Sequence, residues 1–167
     1  AGQTRMTSRP ISRDLPALGV FLAAVALVAF TGSMFTPAVD PVWYASLRKP
    51  SFNPPNWLFA PVWTVLYILI AVSAWLVWRR VGWSEGRRAL LWWLAQLVLN
   101  AAWTPIFFGA HLLGLALVII VGLLAAIAGT ILAFRRHHAL AAAMLLPYLA
   151  WVAFATLLNA SIWRLNG

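Results

Sequence analysis

The charged residues of this chain are gathered into a few short segments, and the intervals between them are long enough to cross a bilayer. All twelve Lys/Arg and three Asp/Glu residues fall within 5–14, 40–49, 79–88, 135–136 and position 164. A soluble domain carries about 25% charged residues; here the figure is 9%, and 63% of residues are hydrophobic. About 20 apolar residues make one helical crossing. The uncharged tract 15–39 fits one, 50–78 fits one with a lead-in, and 137–163 fits one. The tract 89–134 is 46 residues long. As a straight helix it would run roughly 69 Å at about 1.5 Å per residue, more than twice the hydrocarbon thickness of about 30 Å. It must fold back, and Pro105, Gly109, His111 and Gly114 mark the reversal. The fold class is therefore an all-α membrane protein, a five-transmembrane-helix bundle with helices near 15–36, 59–78, 88–108, 112–134 and 139–163.

Lys and Arg set the orientation. Arg5, Arg9, Arg13, Arg79, Arg80, Arg87, Arg88, Arg135 and Arg136 share one side, against Arg48, Lys49 and Arg164 on the other. The N-terminus then faces the cytoplasm, and the first loop and C-terminus face away; a bacterial membrane is expected, inner or outer undecided. Topology thus accounts for the net charge of +9 without nucleic acid as a partner. Residues 1–14 read as a basic tail and 15–166 as the membrane domain. Residues 1–5, ahead of Met6, read as an N-terminal remnant. The first helix is too long for a signal-peptide core and no A-x-A site follows it, so it is retained.

Several chemistries drop out. There is no Cys, hence no disulfide, thiolate metal site or thiol nucleophile. Asp40 and Glu85 lie in loops on opposite sides and cannot act as a pair. His111, His137 and His138 sit at membrane boundaries and read as interfacial. No Ser/His/Asp set, phosphate loop or metal-ligand spacing appears, and no cofactor is required. No internal repeat supports an inverted-repeat transporter.

What remains is aromatic and amide chemistry. The first loop, near 37–58, holds Pro37, Pro41, Pro50, Pro54 and Pro55 with Trp43, Tyr44, Phe52 and Trp57. It suits an interfacial belt or a lid over a pocket. Gln96, Asn100 and Thr104 follow at i, i+4 and i+8, on one helix face close to Trp103. Together with Asn159 they should point inward, either to bond helices together or to form the polar wall of a cavity. Trp63, Trp103 and Trp151 are either core packing or the lining of an apolar pocket. Gly122, Ala125, Ala126, Gly129 and Thr130 allow close helix approach, within the bundle or across a dimer.

The blocks Trp43-Tyr44-x-x-Leu47-x-Lys49-Pro50-Ser51-Phe52-Asn53-Pro54-Pro55 and Pro61-Val62-Trp63-Thr64-x-x-Tyr67 resemble the translocator protein family. These are the tryptophan-rich sensory proteins (TspO/MBR), once called peripheral benzodiazepine receptors. Gln96-Leu97-x-Leu99-Asn100-x-x-Trp103, Pro105-Ile106-Phe107-Phe108-Gly109 and Pro147-Tyr148-Leu149-Ala150-Trp151-x-Ala153-Phe154-Ala155-Thr156-x-Leu158-Asn159 agree, as does Trp163-Arg164. The resemblance runs in order over residues 15–166. It implies a pocket closed by the first loop, binding porphyrins such as protoporphyrin IX, other tetrapyrroles, sterol in some members, and isoquinoline or benzodiazepine compounds.

By the same resemblance Trp63 and Trp151 flank the porphyrin, and Tyr44, Asn100, Trp103, Ala155 and Leu158 complete the ligand-binding set. The small side chain of Ala155 leaves room for the ligand. The partners implied are membrane lipids, the flat apolar ligand and a second copy as a homodimer. Ala160 replaces the Tyr of the vertebrate cholesterol motif, which puts sterol recognition there in doubt. Three function classes stay open: a receptor or sensor, a transporter of tetrapyrroles or lipids, and an enzyme degrading porphyrin with light and oxygen. In the last, Trp63 and Trp151 would be the redox-active residues.

Overall fold

A computed structural model describes residues 11–35 and 41–167; Arg5, Arg9, Pro37 and Asp40 lie outside them. The elements are α1 (Ile11–Ser33), α2 (Pro41–Ser46), α3 (Asn56–Thr104), a π-helical turn (Pro105–Gly109), α4 (Leu113–Arg135), α5 (Ala139–Met144) and α6 (Leu146–Asn166). No strand occurs among the described residues.

α3 is two spans joined almost without a loop. Gly82, with φ 70° and ψ −174°, interrupts the helical backbone in a region that only glycine enters freely. The Trp93 Nε1–H donates to the Ile70 carbonyl at 3.0 Å. Those residues would stand roughly 35 Å apart along a straight helix, so the limbs 56–81 and 83–104 are antiparallel. The expected loop 79–87 shrinks to one residue, and the arginines around it sit on helix ends. The described residues thus form five membrane-crossing spans: α1, the two limbs of α3, α4, and α5 with α6.

Local chemistry places the other breaks. Pro105 has no N–H for the helical ladder, and the chain widens into a π turn in which the Ala110 N–H donates to the Pro105 carbonyl at 2.8 Å. His111 then takes a positive φ of 59° and ends the span near its expected place. Pro147 also marks a break in the last span, but there the chain tightens: the Leu145 N–H bonds back to Ala142, three residues earlier instead of four. α1 begins at Ile11, ahead of the expected start, and brings Asp14 into its first turn.

Contacts at the two ends agree with the charge grouping. Arg79 Nε meets Asp14 Oδ2 at 2.8 Å, and Arg80 Nη1 donates to the His137 carbonyl at 3.1 Å. The start of α1 and the second and fourth connections therefore share one end. At the other, the Arg48 N–H donates to Asn166 Oδ1 at 2.9 Å, and Asn166 Nδ2 donates to the Arg48 carbonyl at 2.8 Å. The main core lies between, around Ile70, Ala74, Trp93, Ile127 and Tyr148. On α4, a Cβ at Gly129 would come within 2.6 Å of the Trp92 ring. The small residue there makes room for a neighbouring span.

Candidate functional site

A cavity of about 480 Å³ opens at the end of the bundle that carries the first connection. Drug-sized ligands occupy sites of about 300–1,000 Å³. Trp63, Trp103, Trp151, Ala155, Leu158 and Tyr44 all line it. They come from both limbs of α3, from α6 and from α2, so five sequence-distant stretches of chain, counting α1, build one wall.

Asn100 is not among the lining residues. It lies one layer behind, in a chain of hydrogen bonds that begins at the cavity. Tyr67 lines the cavity, and its hydroxyl donates to Asn100 Oδ1 at 3.2 Å. Asn100 Nδ2 donates to the Tyr148 hydroxyl at 2.7 Å. Tyr148 in turn donates to Gln96 Oε1 at 2.8 Å. Both readings of the polar face apply to different members of it. Gln96 and Asn100 join helices, whereas Thr104 and Asn159 line the cavity. Asn159 Oδ1 accepts from Trp103 Nε1 at 3.0 Å, and its Nδ2 donates to the Leu113 carbonyl at 3.0 Å. One amide thereby orients the Trp103 ring and ties α6 to the first residue of α4.

Aromatic contacts hold the lining rings. Trp63 packs against Tyr67 at 5.4 Å and against Tyr148 at 6.3 Å. Trp103 lies 5.0 Å from Phe107, which the π turn carries inward. Among the lining residues no side chain is ionised, so the interior favours an apolar, polarisable ligand.

The described part of the first connection, 41–55, lies at this end of the bundle and contributes Tyr44 to the cavity lining. The Trp43 indole stacks on His111 at 3.8 Å and 6°, and the Arg48–Asn166 pair holds the far side. Tyr44 reaches inward; its hydroxyl meets Asn53 Oδ1 at 3.4 Å and Lys49 Nζ lies 4.5 Å from its ring. Burial pushes the Tyr44 phenol up, opposed by the Asn53 hydrogen bond, so it stays a neutral donor at physiological pH. Sequence reasoning assigned no role to Tyr67, Phe59 or Asn166. Tyr67 was visible only as part of a motif, Phe59 as one aromatic of many, and Asn166 carried no signal.

The sequence profile of the TspO/MBR family matches residues 20–164. A human protein named "Translocator protein" is 44% identical over 154 residues, covering 91% of this chain and 90% of its own. "Tryptophan-rich protein TspO" of Archaeoglobus fulgidus is 41% identical over 145 residues, covering 87% and 94%. "Protein CrtK" of Rhodobacter capsulatus is 40% identical over 156 residues, covering 92% and 94%. With five spans, an aromatic cavity beneath the first connection and matches of this extent, the chain is an integral, multi-pass membrane protein that belongs to the TspO/MBR family.

Proposed function

We propose that the cavity is a receptor site for porphyrin-like tetrapyrroles and that the protein acts as a membrane sensor of them. The observation that carries this reading is the convergence of Trp63, Trp103 and Trp151 on one uncharged cavity. A porphyrin is a broad apolar plane, and each aromatic contact adds about 0.5–1.5 kcal/mol beyond area burial. Protoporphyrin IX also carries propionates, and Lys49 beside Tyr44 supplies a cation at the mouth. The test is titration of the protein in nanodiscs with protoporphyrin IX, read as tryptophan quenching. Saturable quenching that Ala155→Leu weakens supports the reading; quenching that grows linearly without saturation refutes it.

Light-driven porphyrin loss is a second reading, favoured by two indoles, Trp63 and Trp151, facing one cavity. Trp→Phe at either position keeps a ring and loses the more easily oxidised indole. Affinity then falls within roughly tenfold, which is about 1.4 kcal/mol. Under illumination, loss of the porphyrin absorption falls much further if the chemistry is real.

A further inference from the structure

A second concavity opens on the outer surface of the bundle, between the first limb of α3 and α6. Leu58, Val62 and Leu66 form one bank; Ala150, Trp151 and Phe154 form the other. Its side chains are apolar, and most lie well inside membrane-crossing helices, so the medium facing it is hydrocarbon. Trp151 belongs to both concavities. One indole therefore separates the inner cavity from the lipid-facing groove.

The attachment of that indole differs from that of three tryptophans in the same bundle. Trp75, Trp93 and Trp103 each donate their ring N–H, to the Asp14 carbonyl at 2.8 Å, the Ile70 carbonyl at 3.0 Å and Asn159 Oδ1 at 3.0 Å. Trp151 Nε1 is buried with no hydrogen-bond partner. Apolar packing positions it, against the main core and against the rings of Phe59 at 5.8 Å and Phe154 at 5.7 Å. A side-chain rotation there breaks no hydrogen bond, whereas the same motion at Trp103 would leave a donor and an amide oxygen unpaired in a dry interior. Ala150 on the groove side and Ala155 on the cavity side leave space around the ring. Toward water, the first connection is pinned at Trp43–His111 and at Arg48–Asn166.

We propose that the groove is a lateral portal and that Trp151 is its swinging partition. A flat apolar molecule dissolved in the bilayer passes between membrane and cavity past this indole. With no molecule in transit, a phospholipid acyl chain fills the groove against the outer face of the ring. The transit half of this proposal rests on the cavity being a ligand site; the acyl-chain half does not.

Two measurements on the full chain in phosphatidylcholine nanodiscs test it. In the first, 5-fluorotryptophan is incorporated and the Trp151 and Trp93 resonances are assigned by their loss in Trp151→Phe and Trp93→Phe. With mid-chain doxyl phosphatidylcholine present, the Trp151 resonance broadens, the tethered Trp93 resonance does not, and Ala150→Leu protects Trp151. In the second, protoporphyrin IX already dissolved in the bilayer is followed by quenching after rapid mixing. Ala150→Leu narrows the groove without lining the cavity, so association and dissociation both slow at least about fivefold while Kd stays within about twofold. Trp151→Ala speeds both. If protoporphyrin IX fails to bind the wild type while the Trp151 resonance broadens, the porphyrin reading falls and the acyl-chain site stands. A Trp151 resonance no more broadened than that of Trp93, or binding rates unchanged by Ala150→Leu, overturns the portal.

Discussion

Tyr148 is the middle of the hydrogen-bond chain behind the cavity, and removing its hydroxyl should cost more than removing the one that touches the cavity. Its side chain is fully buried, and Gln96 is 1% exposed. In Tyr148→Phe the donor to Gln96 Oε1 and the acceptor for Asn100 Nδ2 disappear together. Gln96 Nε2 has no hydrogen-bond partner to begin with, so the substitution leaves that amide wholly unpaired. Interhelical hydrogen bonds within membranes average about 0.6 kcal/mol and reach about 1.7, so two of them place the loss at about 1–3 kcal/mol. Tyr67→Phe breaks one bond, the longer one at 3.2 Å, and should cost about 0.6 kcal/mol. Replacing a buried polar pair together is often close to neutral, so Gln96→Leu combined with Tyr148→Phe should recover part of the loss. The assay is reversible SDS unfolding in mixed micelles, read by circular dichroism. The reasoning fails if Tyr148→Phe is no less stable than Tyr67→Phe, or if the double variant is worse than the sum of the singles.

Other consequences are as direct. Gly82→Ala forces a Cβ into φ 70°, ψ −174° and should lower unfolding stability by about 1–3 kcal/mol, with little change in any cavity property. Asp14 is 2% exposed and paired with Arg79. Asp14→Ala should cost about 3 kcal/mol by leaving the cation without this partner, and Asp14→Ala with Arg79→Met should recover most of it; equal loss in both would refute the pairing argument. His138 Nδ1 accepts the Ala141 N–H and caps α5, while burial, and then the charge of Arg80, lower its pKa. The neutral form is the one favoured by the fold, so its contribution is complete above the ordinary histidine value of about 6.5 and is lost as pH falls through the lowered folded value. His138→Ala should flatten that part of the stability-against-pH curve, and an unchanged acid slope would exclude His138 as its source.

Much of the architecture is written in where charge is missing. Hydrocarbon requires every backbone group to be hydrogen-bonded, as a helix does within itself, and uninterrupted apolar tracts of about 20 residues or more suit helices rather than short barrel strands, so their lengths set five spans. The aromatic members of the site, Trp63, Trp103 and Trp151, were legible as candidates because large rings within the spans, two near the first-loop end and one at mid-span, can be read from order alone. Other features were not legible. Inside a bilayer an apolar residue looks the same facing lipid or a neighbouring helix, because both are equally apolar. Helical spacing placed Asn100 on a polar face but could not tell that Tyr67 and Tyr148 would sit on either side of it, one layer from the cavity. The turn at Gly82 replaced an expected nine-residue loop, 79–87, since the arginines around it are as compatible with helix ends as with a loop. Asp14 was read as part of the tail, and only the approach of Arg79 and Trp75 makes it a buried residue. The sequence alone determined that the chain crosses the membrane, how often, and which side chains are candidates for an apolar site. Which of them share a wall, and that Trp151 buries its ring N–H without a hydrogen bond, depended on the packing of one helix against another, which no single helix encodes.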